Sequence, residues 1–502
     1  MNRRDFLKSC ALAAGGAVLS NSIVKAAGLA FSNNTLKMRI GPALPNIVFI
    51  MADDMGYGDL SCLNPESKIP TPNMDRVAAG GMTFTDAHSS ASICTPSRYG
   101  ILTGRYCWRT WHKNGGALSA TSKLLIDTNR MTVASLLKKH GYETACVGKW
   151  HLGLTDSEPA DFDNPLRPGP NELGFDYWFG LPMSPSKEPY VYIENGVTTA
   201  PPTGWIDSSE RPALYQAGRI APDFKHEEVM PKITQKSIEF IERHQKQQPN
   251  KPFFLYFPMT APHLPWIPLD FNYQRSRAGV YGDFVTLVDW SVGQIMKTLE
   301  RHNLVENTLL IVTSDNGSRE DYIGDYNNGV STGTPNFGHE ANYIYRGQKG
   351  DAWDGGHRIP FIARWPRVVS EGSISDKTVC LMDLMATCAA IVGEKLPNNA
   401  GEDSFSYLPY LQGKTHTGPV REAVVHHSVN AMYAIRKGKW KFIDGTGSGG
   451  WSTGGDSLPG QLYDMETDPE EQNNLYNSRQ DIVTELKTLL ELYKSQGYSR
   501  PM

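Results

Sequence analysis

Two pairs of oxygen-bearing side chains stand at the ends of two apolar runs. Asp53 and Asp54 follow the run 45–52, and Asp315 and Asn316 follow the run 308–314. Short, continuous apolar runs predict strands buried on both faces of a parallel sheet, and ligands collect outside the carboxyl ends of such strands. The two pairs are therefore expected to meet and, as oxygen donors, to suit calcium better than zinc. A solvated turn is the alternative reading of Asp53 and Asp54 taken alone.

The segment Cys94-Thr95-Pro96-Ser97-Arg98 is expected to place a thiol at the start of a helix. Pro96 ends any helix before it, and residues 97–102 can begin one after it. The N–H groups and the dipole at a helix N-terminus favour a bound anion. In another context, Cys94 would be read as a buried structural thiol.

Together with Leu102-Thr103-Gly104-Arg105, this segment resembles the sulfatase family, in which the cysteine of a Cys-x-Pro-x-Arg core is oxidised to formylglycine. The resemblance implies that Cys94 becomes 3-oxoalanine. One hydroxyl of its hydrate would attack sulfur, and the other would collapse the adduct back to the aldehyde. Arg98 would anchor the hydrate. One calcium ion per chain would be held by the strand-end residues and by an oxygen of the modified cysteine, that is by Asp53, Asp54, Asp315, Asn316 and Cys94.

Further basic residues lie in segments that match the same family. They are Gly148-Lys149-Trp150-His151, His263 after a predicted strand, and Lys349 in a Lys-Gly pair. The resemblance implies that Lys149 and Lys349 clamp sulfate. It also implies that His263 donates a proton to the leaving alcohol and that His151 is the base that collapses the sulfated hydrate, although the two histidine roles could be exchanged or shared. Lys149 and His151, two residues apart in a chain predicted to be extended, are expected to project from the same side. Outside this context, they would be read as a surface lysine and a packed histidine.

The matching segments run in the family's order from Pro45 to Leu475 of the 502 residues. The resemblance implies an alkaline-phosphatase-like α/β fold, with a large mixed, mostly parallel sheet sandwiched by helices. Residues 42–418 would form the catalytic domain, and residues 419–502 a smaller α+β subdomain with an antiparallel sheet and a helix. One departure is Asp354, which stands where the family usually has glutamate.

The first residues predict an export signal over residues 1–27. Asn2-Arg3-Arg4-Asp5-Phe6-Leu7-Lys8 is typical of a twin-arginine signal, an apolar run 10–19 follows, and Val24-Lys25-Ala26 is a small-residue cleavage site. The apolar run is too short for a membrane span, which needs about 20 residues. We therefore expect transport by the Tat machinery to the periplasm or beyond. A soluble N-terminal helix is the alternative.

Composition excludes some function classes. The formal net charge is −4 and no long basic run is present, so a nucleic-acid partner is not expected. The seven cysteines form no C-x-x-C pair, which argues against a structural zinc site.

The predicted function is that of an exported sulfatase acting on a sulfated polysaccharide or oligosaccharide, either algal, such as ulvan or carrageenan, or a glycosaminoglycan. A formylglycine-generating enzyme would mature it. Two alternatives remain open at this stage. One is a phosphodiesterase or phosphonate monoester hydrolase of the same fold, and the other is an unmodified protein that binds sulfated glycans without turnover.

Two irregular segments are candidates for the substrate pocket. Residues 184–218 are aromatic-rich and predict a pocket wall. The glycine-rich segment 445–460 contains Trp451 and is either flexible filler or a lid that stacks on a sugar.

Overall fold

The apolar run that ends at Asp53 forms a fully buried strand, Asn46–Asp53, in the middle of the principal sheet. The computed structural model describes residues 44–502 except 114, 211–212, 320–323, 328–329 and 415–419, and residues 44–502 form one compact unit. The predicted export signal, residues 1–27, lies outside the described residues.

The described part of the chain contains both strands and helices. The strands there are β1 (Asn46–Asp53), β2 (Met82–Phe84), β3 (Ala87–His88), β4 (Glu143–Lys149), β5 (Tyr177–Leu181), β6 (Ile193–Glu194), β7 (Val197–Thr198), β8 (Gly204–Ile206), β9 (Gly218–Ile220), β10 (Phe253–Pro262), β11 (Thr308–Ser314), β12 (Gly324–Asn327), β13 (Val330–Pro335), β14 (Phe361–Arg364), β15 (Ser373–Ser375), β16 (Val379–Cys380), β17 (Val424–His427), β18 (Tyr433–Lys437), β19 (Trp440–Ile443) and β20 (Gln461–Asp464). The helices there are α1 (Pro72–Ala79), α2 (Cys94–Thr103), α3 (Val133–Lys139), α4 (Val229–Gln247), α5 (Gly279–Arg301), α6 (Asp354–His357), α7 (Leu384–Val392), α8 (Leu408–Leu411) and α9 (Gln480–Gln496).

The principal sheet has ten strands in the order β15-β2-β14-β11-β1-β10-β4-β5-β6-β7. Its central strands β11, β1, β10, β4 and β5 are parallel, and β14 and β6 flank them antiparallel. Two groups of helices flank the sheet. One group consists of α1, α4 and α5, and the other consists of α2, α3 and α7. The predicted fold class, a mixed and mostly parallel sheet between helices, is confirmed.

The smaller sheet is antiparallel, in the order β17-β18-β19-β20. Successive residues of its strands face opposite sides. On one side, Phe442 and Leu462 pack with residues of α9, and on the other, Ile443 and Tyr463 pack with Trp353. Both faces are therefore covered, one by α9 and one by the segment that follows Lys349. The predicted domain boundary at 418/419 adjoins residues outside the described part and stays a prediction.

The sequence pattern of residues 404–411 predicts a helix, and this prediction is wrong for residues 404–407. Only Leu408–Leu411 is helical, because side chains at the start of α7 take the preceding backbone donors. The N–H of Phe405 donates to Asp383 Oδ1 at 2.9 Å, and that of Tyr407 donates to Thr387 Oγ1 at 3.1 Å. Among the helices of the described residues, none has both the length and the apolar character to cross a membrane.

Candidate active site

Asp53 and Asp54 reach one site from consecutive positions because the chain turns at the end of β1. In an extended strand, neighbouring side chains point to opposite faces. Asp53 is the last residue of β1, and Asp54 has a φ of 69°, a left-handed conformation that is uncommon outside glycine. This turn lets both carboxylates join the same cluster, and backbone conformations of this kind concentrate at functional sites.

Strand β11 brings the second pair alongside. Ala52 on β1 lies opposite Ser314 on β11, so the two strands end together. The N–H of Asp54 donates to Asp315 Oδ1 at 3.2 Å, and Asn316 Nδ2 donates to Asp54 Oδ1 at 2.8 Å. The prediction that the two strand ends meet is confirmed.

Cys94 is the first residue of α2 and joins the same cluster. Ligand atoms of Asp53, Asp54, Cys94 and Asp315 all lie within 4.8 Å of one another. Burial raises the pKa of the Cys94 thiol to about 12, against the lowering effect of the nearby lysines. The unmodified thiol is therefore uncharged at neutral pH and is a poor nucleophile.

The start of α2 differs in detail from the prediction. The helix begins at Cys94 rather than near Ser97, and Pro96 is its third residue. The first turn of a helix has backbone N–H groups without intrahelical partners, so a proline there removes no bond. The predicted position of Cys94 at a helix N-terminus is confirmed.

Arg98 is fully buried and connects three parts of the site. Its Nε and Nη2 donate to Asp315 Oδ2 at 3.0 and 2.7 Å, and its Nη1 donates to the carbonyl oxygen of Lys149 at 2.9 Å. Its Nη2 also lies 3.5 Å from Asp53 Oδ1. The guanidinium therefore fixes the orientation of Asp315 next to Cys94.

Two buried lysines face the carboxylates of β1. Lys149 Nζ lies 2.7 Å from Asp53 Oδ2, and Lys349 Nζ lies 2.6 Å from Asp54 Oδ2. With Arg98, they place three cations beside the three acids of the cluster. A site that contains both signs of charge at this density can hold a cation and an anion side by side.

The environment shifts the pKa values of Asp53 and Asp315 in opposite directions. Burial would raise the pKa of Asp53, but Lys149 and the other nearby cations hold it well below its usual range. For Asp315, burial prevails over Arg98 and raises the pKa. Asp53 therefore keeps its charge more readily than Asp315, and a bound divalent cation would favour the ionised form of both residues.

His151 does not project from an extended chain, so that prediction is wrong. Strand β4 ends at Lys149, and His151 has a φ of 58°. The turned backbone is held by Thr95, whose Oγ1 donates to the carbonyl oxygen of His151 at 2.9 Å and accepts from the N–H of Leu118 at 3.1 Å. The turn brings the ring close enough for Lys149 and Arg98 to influence its pKa.

Among the described residues, the ring of His151 has one nitrogen held by a hydrogen bond and one without a partner. Nε2 donates to the carbonyl oxygen of Leu118 at 2.9 Å, and Nδ1 has no hydrogen-bond partner among the described residues. Burial lowers the pKa of His151 well below its usual range, so the ring is neutral. In this tautomer, Nδ1 carries a lone pair that can accept a proton.

His263 follows β10 and lines a pocket with Lys349 and Asp54. Its Nδ1 donates to the carbonyl oxygen of Leu264 at 2.8 Å, and its Nε2 lies 3.7 Å from Asp54 Oδ2. Burial lowers the pKa of His263 to about 4. In the neutral ring, Nε2 is an acceptor, so His263 can donate a proton from this atom only after it has taken one up.

The donor set fits a calcium ion. The three carboxylates and the amide oxygen of Asn316 are hard oxygen donors, which calcium prefers. Asn316 Oδ1 is buried and has no hydrogen-bond partner in the described part of the chain. The Cys94 thiol is a soft ligand and would contribute to such a site only after conversion to an oxygen-bearing group.

Two residues next to the site were not predicted from the sequence. Ser184 Oγ lies 3.3 Å from Asp53 Oδ2, and Thr95 holds the backbone of His151. Thr95 lies inside the cysteine motif, and Ser184 opens the segment 184–218 that predicts a pocket wall. None of the described residues of this segment, Ser184 included, lines the pocket at His263, whose wall includes Trp266, Tyr281, Ser318 and Arg319.

Asp354, the departure from the family motif, lies in a second buried charge network. Lys441 Nζ is 2.7 Å from Asp354 Oδ1 and 2.8 Å from Glu471 Oε1, and Arg358 Nη1 is 3.2 Å from Asp354 Oδ2. The network links the segment after Lys349 to β19 of the smaller sheet. The contacts of Asp354 are therefore structural.

Comparison with known proteins identifies the family. Residues 45–394 match the family model described as Sulfatase, and residues 349–496 match that described as N-sulphoglucosamine sulphohydrolase, C-terminal. The chain belongs to the sulfatase family. The predicted family and enzyme class are therefore confirmed, and this sulfatase is a hydrolase.

Several relatives are similar to this sulfatase over most of its length. An N-acetylgalactosamine-6-O-sulfatase from Bacteroides thetaiotaomicron is 37% identical over 492 residues, which cover 90% of this chain and 93% of that protein. A solved structure described under the metabolism of multiple glycosaminoglycans by the same species is 33% identical, with a TM-score of 0.79 over 90% of this chain and 99% of that one. The phosphonate monoester hydrolase of Agrobacterium radiobacter is 18% identical, with a TM-score of 0.60 over 90% of this chain and 96% of that one, and shares the fold alone.

Proposed function

We propose that this sulfatase hydrolyses sulfate esters of a sulfated glycan, using a formylglycine formed from Cys94 and one calcium ion. The observation that carries the proposal is the clustering of Cys94, at the start of α2, with three carboxylates and two lysines. Conversion of Cys94 to an aldehyde hydrate would supply a hydroxyl nucleophile, which the buried thiol with a pKa of about 12 does not.

The metal would be held by the strand-end oxygen donors Asp53, Asp54, Asp315 and Asn316. Calcium bound there would favour the ionised nucleophile and neutralise charge that builds up on the sulfuryl oxygens. Arg98 keeps Asp315 oriented through two hydrogen bonds of 2.7 and 3.0 Å. The N-terminus of α2 and the ammonium groups of Lys149 and Lys349 would bind the sulfate oxygens.

The two histidines differ in readiness for proton transfer. Among the described residues, Nδ1 of His151 has no partner, and burial keeps the ring neutral, so this lone pair is available to take a proton from the sulfated hydrate. His263 faces the pocket and would give a proton to the leaving alcohol. Its Nε2 must first be protonated, and the carboxylate of Asp54 at 3.7 Å favours that form.

The proposed substrate is a glycosaminoglycan fragment that carries 6-O-sulfated N-acetylgalactosamine. This choice rests on the relative of 37% identity that is named for that activity and on the similar structure described under glycosaminoglycan metabolism. Sulfated algal galactans and ulvan serve as comparison substrates.

The test measures free sulfate released from glycosaminoglycan and algal oligosaccharides. We would compare the matured enzyme, the Cys94→Ala variant and a Cys388→Ala control, because Cys388 is also a buried free thiol but lies in α7. We expect release from the 6-O-sulfated N-acetylgalactosamine substrate by the enzyme and the control, and none by Cys94→Ala. No release by protein with confirmed formylglycine would refute the proposal, and turnover of a phosphonate or phosphate ester instead would favour the rival chemistry.

The proposal includes export through the Tat machinery to the periplasm and maturation by a formylglycine-generating enzyme. It is supported by the order of Arg3-Arg4, the apolar run and the small-residue cleavage site. Fractionation of host cells should find the protein in the periplasm, and changing both Arg3 and Arg4 to lysine should retain it in the cytoplasm. Arg39→Lys is the matched control and should not affect export.

A further inference from the structure

The glycine-rich segment 445–460, between β19 and β20, is anchored on the turn that carries Lys349. The N–H groups of Trp451 and Ser452 both donate to Asp351 Oδ1, at 2.8 and 3.1 Å. Asp351 is only two residues from Lys349. The smaller sheet therefore delivers Trp451 to the edge of the site and holds it there by backbone hydrogen bonds.

Two glycines allow this close approach. Gly350 has a φ of 90°, and a Cβ added there would lie 2.7 Å from Trp451 Cε3. A Cβ added at Gly450 would lie 2.2 Å from the carbonyl oxygen of Gly350. Any other residue at either position would push the segment away, so the indole of Trp451 has a defined position relative to Lys349.

The indole in turn supports an arginine at the pocket. The guanidinium carbon of Arg319 lies 4.0 Å from the centre of the Trp451 ring. Arg319 lines the same pocket as His263 and Lys349. An arginine stacks on an aromatic ring through the face of its guanidinium, whereas its N–H groups donate hydrogen bonds from the edge. A stacked arginine is therefore pre-organised to bind a carboxylate or a sulfate.

We propose that Arg319, positioned by Trp451, forms a second anion subsite, which binds a carboxylate or a further sulfate on the sugar next to the one being desulfated. The inference rests on the proposed function. It follows from position and charge, because the guanidinium of Arg319 lies over the Trp451 ring and lines the pocket that contains His263 and Lys349. Glycosaminoglycan chains carry such additional anionic groups, whereas a simple aryl sulfate does not.

Binding measurements without turnover provide the test. In a Cys94→Ala background, calorimetry would give the affinity for three disaccharides that share the scissile sulfate: one with an intact uronate, the same one with the carboxylate reduced, and one with a second sulfate in place of the carboxylate. With Arg319 present, we expect the uronate carboxylate, the second sulfate or both to raise the affinity roughly tenfold over that for the reduced disaccharide, as hydrogen bonds to charged groups do. In Arg319→Gln, the gain should fall below about twofold. The ligand whose gain disappears identifies the anionic group.

Trp451 variants separate positioning from mere structural support. Trp451→Ala should reduce the affinity gained from the additional charge, and Trp451→Phe, which keeps an aromatic face, should restore most of it. The readout is the ratio of affinities for charged and reduced ligands, which a general loss of folding would leave unchanged. Equal ratios in all variants would overturn the role of Trp451.

The outcomes also separate this inference from the proposed function. Equal affinities for charged and reduced ligands, or a gain that persists in Arg319→Gln, would overturn the subsite even if the enzyme releases sulfate. An Arg319-dependent gain in an enzyme that releases no sulfate from any of these ligands would support the subsite and refute the proposed hydrolysis.

Discussion

Replacing Lys441 by methionine tests whether the network at Asp354 holds the smaller sheet against the segment after Lys349. Lys441 is fully buried, and its ammonium pairs with Asp354 at 2.7 Å and Glu471 at 2.8 Å. Methionine keeps much of the volume and removes the charge. Breaking a buried ion pair from one side leaves uncompensated charge, so we expect the free energy of unfolding to fall by about 3–5 kcal/mol.

The loss of stability in Lys441→Met should depend on pH because the raised pKa of Glu471 lies in the pH range in which unfolding can be measured. Burial, partly offset by Lys441, raises the pKa of Glu471 from 4.5 to about 7. Because its pKa is raised, the Glu471 carboxyl binds a proton more tightly in the folded state than in the unfolded state. Protonated Glu471 therefore favours the folded state, and this contribution to the free energy of unfolding is lost as pH rises from about 4.5 through about 7. Without Lys441, the pKa of Glu471 rises further. The cost of the substitution should therefore grow above pH 7, by up to about 1.4 kcal/mol per pH unit.

Lys439→Met is the matched control, two residues earlier on the chain. Lys439 pairs with Asp464 at 2.6 Å, but its side chain is 42% exposed, so we expect a loss below about 1 kcal/mol. Urea midpoints for the parent and both variants at pH 6 and pH 8 give the comparison, with unfolding followed by tryptophan fluorescence. Equal losses in the two variants, or a Lys441→Met loss that is the same at both pH values, would refute the reasoning.

Three further predictions concern the site. Lys349→Met should lower kcat/KM for the sulfated glycan roughly 100-fold, whereas the exposed Lys395→Met should not, and a loss of less than about threefold at Lys349 would contradict its role. Chelation should abolish sulfate release and lower the thermal midpoint, and calcium at 100 times its Kd should return about 2.7 kcal/mol; an unchanged midpoint would argue against a bound metal. Gly148→Ala should lower the free energy of unfolding in urea by about 2 kcal/mol more than Gly141→Ala does. The Cβ added at Gly148 would lie 2.0 Å from the carbonyl oxygen of Pro258, whereas that at Gly141 would have no atom of the described residues within 4 Å. Similar midpoints for the two variants would contradict this.

The meeting of the two acidic strand ends could be predicted from the sequence for a simple physical reason. The strands that end at Asp53 and just before Asp315 are mostly apolar and are buried at every position, and parallel strands end at one edge. The position of Cys94 also followed from local signals, since Pro96 and the residues after it favour a helix start. These features depend on neighbours in sequence.

The remaining features depend on contacts between distant segments. Ser184 reaches Asp53 across 131 residues, and Trp451 reaches Asp351 across 100. The positive φ values of Asp54 and His151 are not predicted by residue type, since most residues of either type have a negative φ even though aspartate and histidine adopt positive values more often than other residues do. The failed helix at 404–407 has the same origin, because its donors are taken by residues about twenty positions away. Periodicity and propensity do not contain this information.

The attachment of the Lys349 turn has a consequence for how this enzyme can be divided. The N–H of Gly350 donates to the carbonyl oxygen of Ser92 at 2.7 Å, and the carbonyl oxygen of Gly350 accepts from the N–H of Val429 at 2.9 Å. One residue therefore joins the segment before Cys94 to the chain just after β17. A shortened gene that ends before the smaller sheet would not encode a minimal enzyme. In a chimera that takes its C-terminal part from a relative, the surroundings of Lys349 would change, whereas Asp53, Asp54, Asp315 and Asn316 would stay the same. We therefore expect its glycan preference to follow the parent of the C-terminal part. A preference that follows the other parent would contradict this.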